Sequence, residues 1–345
     1  MRAVEYFLGY LARVRQIYRE KGTIYLLKAI LFKVRSKRTH EDRPYLQDWL
    51  VHYQNKSKLR QQSAQEQDIS QFPKVSILIL TYNNLPVTQI CLHSIYANTI
   101  YPNFEIIVVD NASNDETPVW LTQFTKSHSN IKIIVNNNNV GFAAGNNQAA
   151  READGEYLIF LNNDTVVTEG WIGRLLSYIH EKPNIGLVGP VTNSIGNEAR
   201  IPVSYTTPAE MELFAKDRAL SMKGQFINIR MLALFCVLTR KDQFESLGCL
   251  DERFGVGMFE DDDLAVRYHQ AGLSVICVED VFIHHFQSMS FSKLKRDYYN
   301  KLFSENRKKY EEKWNRKWEP YTFRQEVIEA RYLTQKDSNP KESHL

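Results

Sequence analysis

Apolar residues along this chain fall into two textures. From Val75 onward, short and nearly continuous β-branched runs (Val75 to Leu80, Ile106 to Val109, Ile131 to Val135, Tyr157 to Leu161, Ile185 to Val188) alternate with stretches of helical spacing at 85–98, 115–127, 144–153 and 169–181. Runs of this length read as strands buried on both faces, and their alternation with helices predicts an α/β domain with a mostly parallel sheet. Upstream, Val4, Phe7, Leu8, Leu11 and Val14, then Ile24, Leu27, Ile30, Leu31 and Val34, recur at helical spacing, while Gln54 to Gln71 is polar and rich in Gln, Ser and Lys. The chain thus divides into a helical arm with a polar linker (1–73), an α/β domain (74–290) and a C-terminal part (291–345). In the last, Phe303, Tyr310, Trp314 and Trp318 predict a helix packed on the domain, and the polar end after Leu333 is expected to fray.

Composition adds a charge asymmetry to this plan. The 345 residues are 43% hydrophobic and 24% charged, which suits a globular protein with a large core. The formal net charge of +3 is uneven: residues 1–38 carry ten Lys/Arg against Glu5 and Glu20, a net +8 that leaves −5 for the rest. A body of that sign lacks the broad basic face that phosphate neutralisation requires, so nucleic acid is not an expected partner. For the basic arm two readings stand: helices docked on the domain, or an interfacial helix whose Lys/Arg face meets anionic lipid headgroups.

No run reaches the roughly 18–20 apolar residues of a membrane span. The best candidate, Thr23 to Val34, is broken by Lys28 and Lys33, and no small-residue cleavage site of a secretory signal follows it. Cys91, Cys236, Cys249 and Cys277 lack CxxC spacing, and three sit in apolar runs, so they read as reduced core residues. The expected location is the cytoplasm, with peripheral contact to the membrane through residues 1–38.

Ligands of parallel sheets bind at the carboxyl ends of the strands. Here four successive ends are polar: Thr81-Tyr82-Asn83-Asn84, Asp110-Asn111-Ala112-Ser113, Asn136 to Asn139 before Gly141, and Asn162-Asn163-Asp164. One such end is commonly a helix cap, but four together point to a shared ligand. Asp164, flanked by Asn162 and Asn163 and followed by Thr165, offers oxygen ligands suited to Mg²⁺ or Mn²⁺, with a diphosphate as the natural counter-ligand. Other phosphate sites are not supported. No GxxxxGK[ST] loop occurs, and Gly255-Val256-Gly257-Met258-Phe259-Glu260 lacks the last glycine of a dinucleotide fingerprint.

The densest acidic cluster, Glu260-Asp261-Asp262-Asp263, opens a helical pattern through Leu264 and Val266. Four adjacent acids favour a helix N-terminus and raise one another's pKa, which suits a general base near neutral pH; the plain alternative is an over-capped, solvated helix start. Downstream, a strand-like run leads to His284-His285, and because side chains alternate along a strand only one of the pair can face the site.

The motifs VSILILTYNN (Val75 to Asn84), IVVDNASNDET (Ile107 to Thr117), NVGFAAGNN (Asn139 to Asn147), YLIFLNNDT (Tyr157 to Thr165) and LDERFGVGMFEDDDLAVR (Leu250 to Arg267) together resemble the family 2 glycosyltransferases, nearest the rhamnosyltransferase-like branch. The resemblance covers roughly 74–290 and implies the GT-A fold. It also implies inverting transfer of a sugar from a UDP-, dTDP- or GDP-linked donor to a glycan or lipid-linked acceptor, in cell-surface polysaccharide synthesis. Under it, Thr81, Asn83 and Asp110 hold the nucleoside, with Asn111 and the Gly141 to Asn146 loop closing around it, and Asn162 and Asn163 contribute beside them. Asp164 is then the metal-binding acid, joined by His284 or His285, and Asp261, paired with Glu260, is the general base. Asn162 stands where a strict DxD motif has its first acid, which lowers the charge at that end. A nucleotidyltransferase is the first competing reading, but it needs a Gly-rich basic loop after the first strand, which Thr81 to Asn84 is not. The second, a non-catalytic nucleotide-sugar-binding module, would lack the acid cluster.

Overall fold

A computed structural model describes residues 44–63, 69–286, 296–321 and Arg324. The basic run 1–38 and the polar end after Leu333 lie outside the described residues. In chain order the elements are α1 (Pro44–Ser63), β1 (Val75–Thr81), α2 (Leu85–Asn98), β2 (Phe104–Asp110), α3 (Thr117–Thr125), β3 (Ile131–Val135), α4 (Phe142–Arg151), β4 (Tyr157–Asn162), β5 (Thr165–Val166), α5 (Trp171–Glu181), β6 (Ile185–Val191) and α6 (Pro208–Ser221). They continue with β7 (Phe226–Asn228), β8 (Cys236–Arg240), α7 (Lys241–Ser246), α8 (Glu260–Gln270), β9 (Ser274–Phe282), β10 (His284–His285) and α9 (Arg296–Trp314).

The main sheet runs β3-β2-β1-β4-β8-β6-β9-β7. The first four strands and the β6–β9 pair are parallel, whereas β8 and β7 are antiparallel to their neighbours. The parallel half is what the sequence pattern predicts. The insertion of β8 between β4 and β6 is not legible there, since no spacing rule assigns strand order.

Alternation along each strand splits the core in two. Ile77, Ile79, Ile106, Val108, Ile159 and Leu161 pack with α2, α3 and α5 on one face. Leu78, Ile107, Val109, Leu158 and Phe160 pack with α1, α4 and α8 on the other. Both faces are covered, so the side chains named here are removed from water, at roughly 1.5–3 kcal/mol for each large apolar residue.

Part of the polar stretch read as linker is helical. Gln54 to Ser63 continue α1, which lies along α2 and buries Trp49 and Tyr53. A single apolar stripe on an otherwise polar helix is enough for docking, which overall composition hides. Among the described residues no helix is long and apolar enough to cross a membrane.

Candidate active site

The turns that follow β1 and β2 are tied to each other. Asn83 and Asn84 adopt left-handed φ values of 57° and 65°, which Asn tolerates better than other residues with a Cβ, and thereby turn the chain sharply into α2. Asn83 ties this turn to the next: its N–H donates to Ser113 Oγ (2.7 Å) and its Oδ1 accepts from Asn114 N (2.9 Å). Asp110 is fully buried; its Oδ2 accepts from Ser113 N (3.0 Å), while Oδ1 has no partner among the described residues. A buried carboxylate oxygen left without a donor is costly in an isolated protein and marks a place for a ligand's N–H or O–H.

Asn111 builds the adjoining loop. Its Nδ2 donates to Asn139 Oδ1 (2.8 Å) and Gly141 O (3.3 Å), and its Oδ1 accepts from Val140 N (2.9 Å). Gly141 then runs at φ 92°, and a Cβ there would stand 2.1 Å from Gly255 O. This close approach joins the loop to the segment before α8, sealed by Phe142 N donating to Gly255 O (3.1 Å). Asn146 donates to Phe142 O (2.9 Å) within its own helix. Asn163 Nδ2 donates to the hydroxyls of Thr81 (3.2 Å) and Thr88 (2.9 Å), so Thr81 and Asn163 brace the strand ends from within.

Beyond Asn162 the chain turns through Asp164 into β5, which pairs with β10 so that His285 lies opposite Thr165. His285 Nε2 comes to 3.1 Å from Asp164 Oδ1, and its Nδ1 lies 2.9 Å from Ser194 O. Burial by itself lowers the imidazole pKa, but the Asp164 charge and hydrogen bond and the Ser194 carbonyl raise it above the ordinary value. With Nδ1–H given to a carbonyl, Nε2 is the atom turned to the carboxylate, an arrangement common to metal-ligating histidines. Asp164 and His285 are the residues that could hold a hard cation such as Mg²⁺ or Mn²⁺, and no third His, Cys, Asp or Glu joins them among the described residues, so further positions would fall to phosphate oxygens.

His284 faces the other way. It stacks on Trp49 of α1 (4.6 Å, 26°) and its Nδ1 lies 2.6 Å from Tyr205 Oη. Burial, then the neighbouring His285, hold its pKa down to about 3, so it stays neutral. Of the two histidines offered as alternatives, His285 is the one brought to Asp164, while His284 packs against α1 and not at Asp164.

The acid cluster opens α8, and its four members separate. Asp262 accepts from Trp318 Nε1 (3.1 Å) and Tyr321 Oη, and Asp263 from Trp314 Nε1 (2.9 Å), Lys313 and Arg267. These two acids anchor the C-terminal segment. Glu260 is buried with Oε2 unpartnered among the described residues. Burial, followed by the charges of Asp262 and Asp263, pushes its pKa up to about 7. Asp261, partly exposed, is raised well above the usual range by burial and by Glu260 and Asp262. Burial raises Asp262 as well, against its bonds to Tyr321 and Trp318, so the perturbed acids of the cluster include Asp262 beside Glu260 and Asp261.

The loop shaped by Asn111 and the approach to α8 meet through Gly141 and Gly255. Sequence reasoning missed Asn193, whose side chain grips His285 through both backbone groups (2.8 and 3.1 Å). The same strand-end rule, applied to Thr192-Asn193-Ser194 after β6, finds it. It also missed Asn147, which binds Leu250 N and O (2.9 and 2.8 Å) and so ties α4 to the approach to α8.

Comparison with known proteins agrees with this geometry. The model of "Glycosyl transferase family 2" matches residues 76–248. O-antigen biosynthesis protein RfbC of Myxococcus xanthus is 30% identical over 228 residues, which cover 63% of this chain and 18% of RfbC. Glycosyltransferase AglE of Haloferax volcanii is 28% identical over 215 residues, covering 61% of this chain and 66% of AglE. The match therefore spans about a fifth of RfbC and just under two thirds of AglE. Among solved structures, GalNAc-T7 with UDP, GalNAc and Mn²⁺ superposes with a TM-score of 0.52 at 19% identity, over 63% of this chain and 44% of that one. A likeness at that identity speaks for the fold, which is GT-A.

Proposed function

This chain belongs to the family 2 glycosyltransferases, and we propose that it moves a sugar from a nucleoside diphosphate to an acceptor hydroxyl with inversion at the anomeric carbon. The observation that carries the reading is the junction at Gly141 and Gly255, which ties a loop beside the open Asp110 oxygen to the helix that begins with Glu260 and Asp261. Asp110 Oδ1 accepts from an N–H of the donor base or a hydroxyl of its ribose, and the loop shaped by Asn111 closes over the nucleoside. Asp164 and His285 hold Mg²⁺ or Mn²⁺, which when bound offsets the charge gathered on the diphosphate. GalNAc-T7, solved with UDP and Mn²⁺, supports a donor and cation of this class.

Asp261 takes the proton of the acceptor hydroxyl as that oxygen bonds to the anomeric carbon. The bond to the diphosphate breaks on the opposite face, so configuration inverts. Glu260, buried behind it, keeps the local proton affinity high enough for a base working near neutral pH. The part named for RfbC in O-antigen biosynthesis supports a cell-surface polysaccharide or a lipid-linked glycan as acceptor. UDP-, GDP- and dTDP-sugars, each with Mn²⁺ or Mg²⁺, are to be screened for thermal stabilisation and for release of nucleoside diphosphate. Stabilisation and turnover by one nucleotide class supports the reading; if none of the three stabilises the protein or is turned over, it is wrong.

A further inference from the structure

The turn into α8 holds four residues at positive φ: Gly255 (65°), Gly257 (147°), Met258 (77°) and Phe259 (77°). Met258 and Phe259 carry a Cβ, and each left-handed residue of that kind costs roughly 1–2 kcal/mol, so neighbouring structure must hold them there. A turn of this shape also cannot pair its own carbonyls in a regular ladder, and buried carbonyls require donors. Both needs are met from α9.

Asn306 is fully buried, and its Nδ2 donates to Phe254 O (2.7 Å) and Gly257 O (2.9 Å), with Met258 O at 3.3 Å. Lys309 Nζ donates to Asn306 Oδ1 (2.9 Å). That contact fixes which way the amide points, because an ammonium can only donate and the three carbonyls can only accept. Phe259 is clamped beside it by the rings of Phe303 (5.1 Å), Trp318 (5.6 Å) and Tyr310 (5.7 Å). Glu260 and Asp261 follow at once, so the direction in which their carboxylates leave the turn is set by the dihedrals of Met258 and Phe259.

We infer that Asn306 is a positioning residue for proton transfer: its amide holds the 254–258 turn in the one conformation that aims Asp261, which makes α9 part of the catalytic unit. The inference rests on the reading of Asp261 as the base. Asn suits the position in a way Asp does not, since a carboxylate would face three carbonyl oxygens. The donor side has braces of its own in Asn83, Asn111 and Ser113, and meets this turn at Gly255, whose carbonyl accepts from Phe142 N.

The test uses the full chain, with whichever of UDP-, GDP- or dTDP-sugar it turns over, and reads nucleoside-diphosphate release and donor binding separately. In Asn306→Ala, kcat is expected to fall roughly 10- to 100-fold, the loss typical of a catalytic group displaced by about 1 Å, while KM for the donor and nucleotide affinity stay within about twofold. A folded Asn306→Ala protein with the kcat of the parent, or one that loses donor binding as much as kcat, overturns the inference. If Asn306→Ala does not fold, Lys309→Met decides, because it removes the donor to both Asn306 Oδ1 and Arg253 O while leaving the core intact. A smaller kcat loss at unchanged donor KM supports the inference, and parental kinetics overturn it. Asp261→Asn measured alongside separates the two levels: parental turnover there removes the base assignment itself, whereas an inactive Asp261→Asn with a normal Asn306→Ala removes only the role of Asn306.

Discussion

His285 Nε2 and Asp164 Oδ1 meet at 3.1 Å across 121 residues of chain. A two-residue antiparallel ladder makes the meeting possible, supported by Phe286 N donating to Asp164 O (2.9 Å) and by the grip of Asn193 on the backbone of His285. So short a ladder is weak alone, and its neighbours fix it. Asp164→Ala and His285→Ala are each expected to weaken Mn²⁺ binding, measured by calorimetry, by at least about tenfold. His284→Phe, which keeps a ring against Trp49, is expected to leave Mn²⁺ affinity near parental. Equal affinities in all three variants would remove the cation site.

Asp261→Asn is expected to lower transfer by roughly 10²–10⁴-fold with donor binding nearly unchanged, the range for loss of a general base. Single-turnover rates and nucleotide titration on one preparation distinguish this from a binding defect. Turnover close to parental would place the base elsewhere.

Glu260 has its carboxyl pushed up to about 7 from an ordinary value of 4.5. A carboxyl raised in the folded state binds its proton more tightly there than in the unfolded chain. It therefore lowers stability as pH rises from about 4.5 to about 7, and the loss is complete above that. Glu260→Gln is expected to match the parent near pH 4 and to have the higher Tm at pH 8. The parent's kcat is expected to rise with pH as Asp261 ionises, its carboxyl being held above the usual range by burial and by Glu260 and Asp262. A pH-independent difference in Tm would contradict the burial argument.

Gly141→Ala places a methyl group 2.1 Å from Gly255 O at a φ of 92°. The backbone must shift at the junction of the donor loop and the approach to α8. A loss of at least about 1–3 kcal/mol in stability is expected, with a weaker nucleotide affinity. Denaturant midpoints and UDP or GDP titration check both, and an unperturbed variant would show that the junction is slack.

The net +8 of residues 1–38 predicts attraction to anionic lipid. Vesicles containing phosphatidylglycerol are expected to retain the full chain at low salt and to release a chain lacking residues 1–43. Equal retention of the two would assign lipid contact to another surface or remove it.

Much of this is legible in the sequence. The β-branched runs named the parallel strands, and the rule that ligands bind at strand ends singled out Asp110, Asn111 and Asp164 as candidates. Local rules reach that far because a strand's burial and a turn's left-handed residues are written into a few adjacent positions. They failed at Gln54 to Ser63, where polar composition masked a docked helix, and at Asn306, whose partners lie about fifty residues away.

By itself the sequence determined the α/β plan, the polar strand ends and the acidic opening of α8, since each depends on period, composition and the chemistry of neighbouring residues. Tertiary structure alone decided which acids remain available. Four adjacent carboxylates look alike in sequence, yet Asp262 and Asp263 bind the indoles of Trp318 and Trp314, while Glu260 and Asp261 are held with raised proton affinity, which Asp262 shares. It likewise sent His285 to Asp164 and His284 to Trp49, because alternation along a strand says that two neighbours part but not which of the two layers holds the carboxylate.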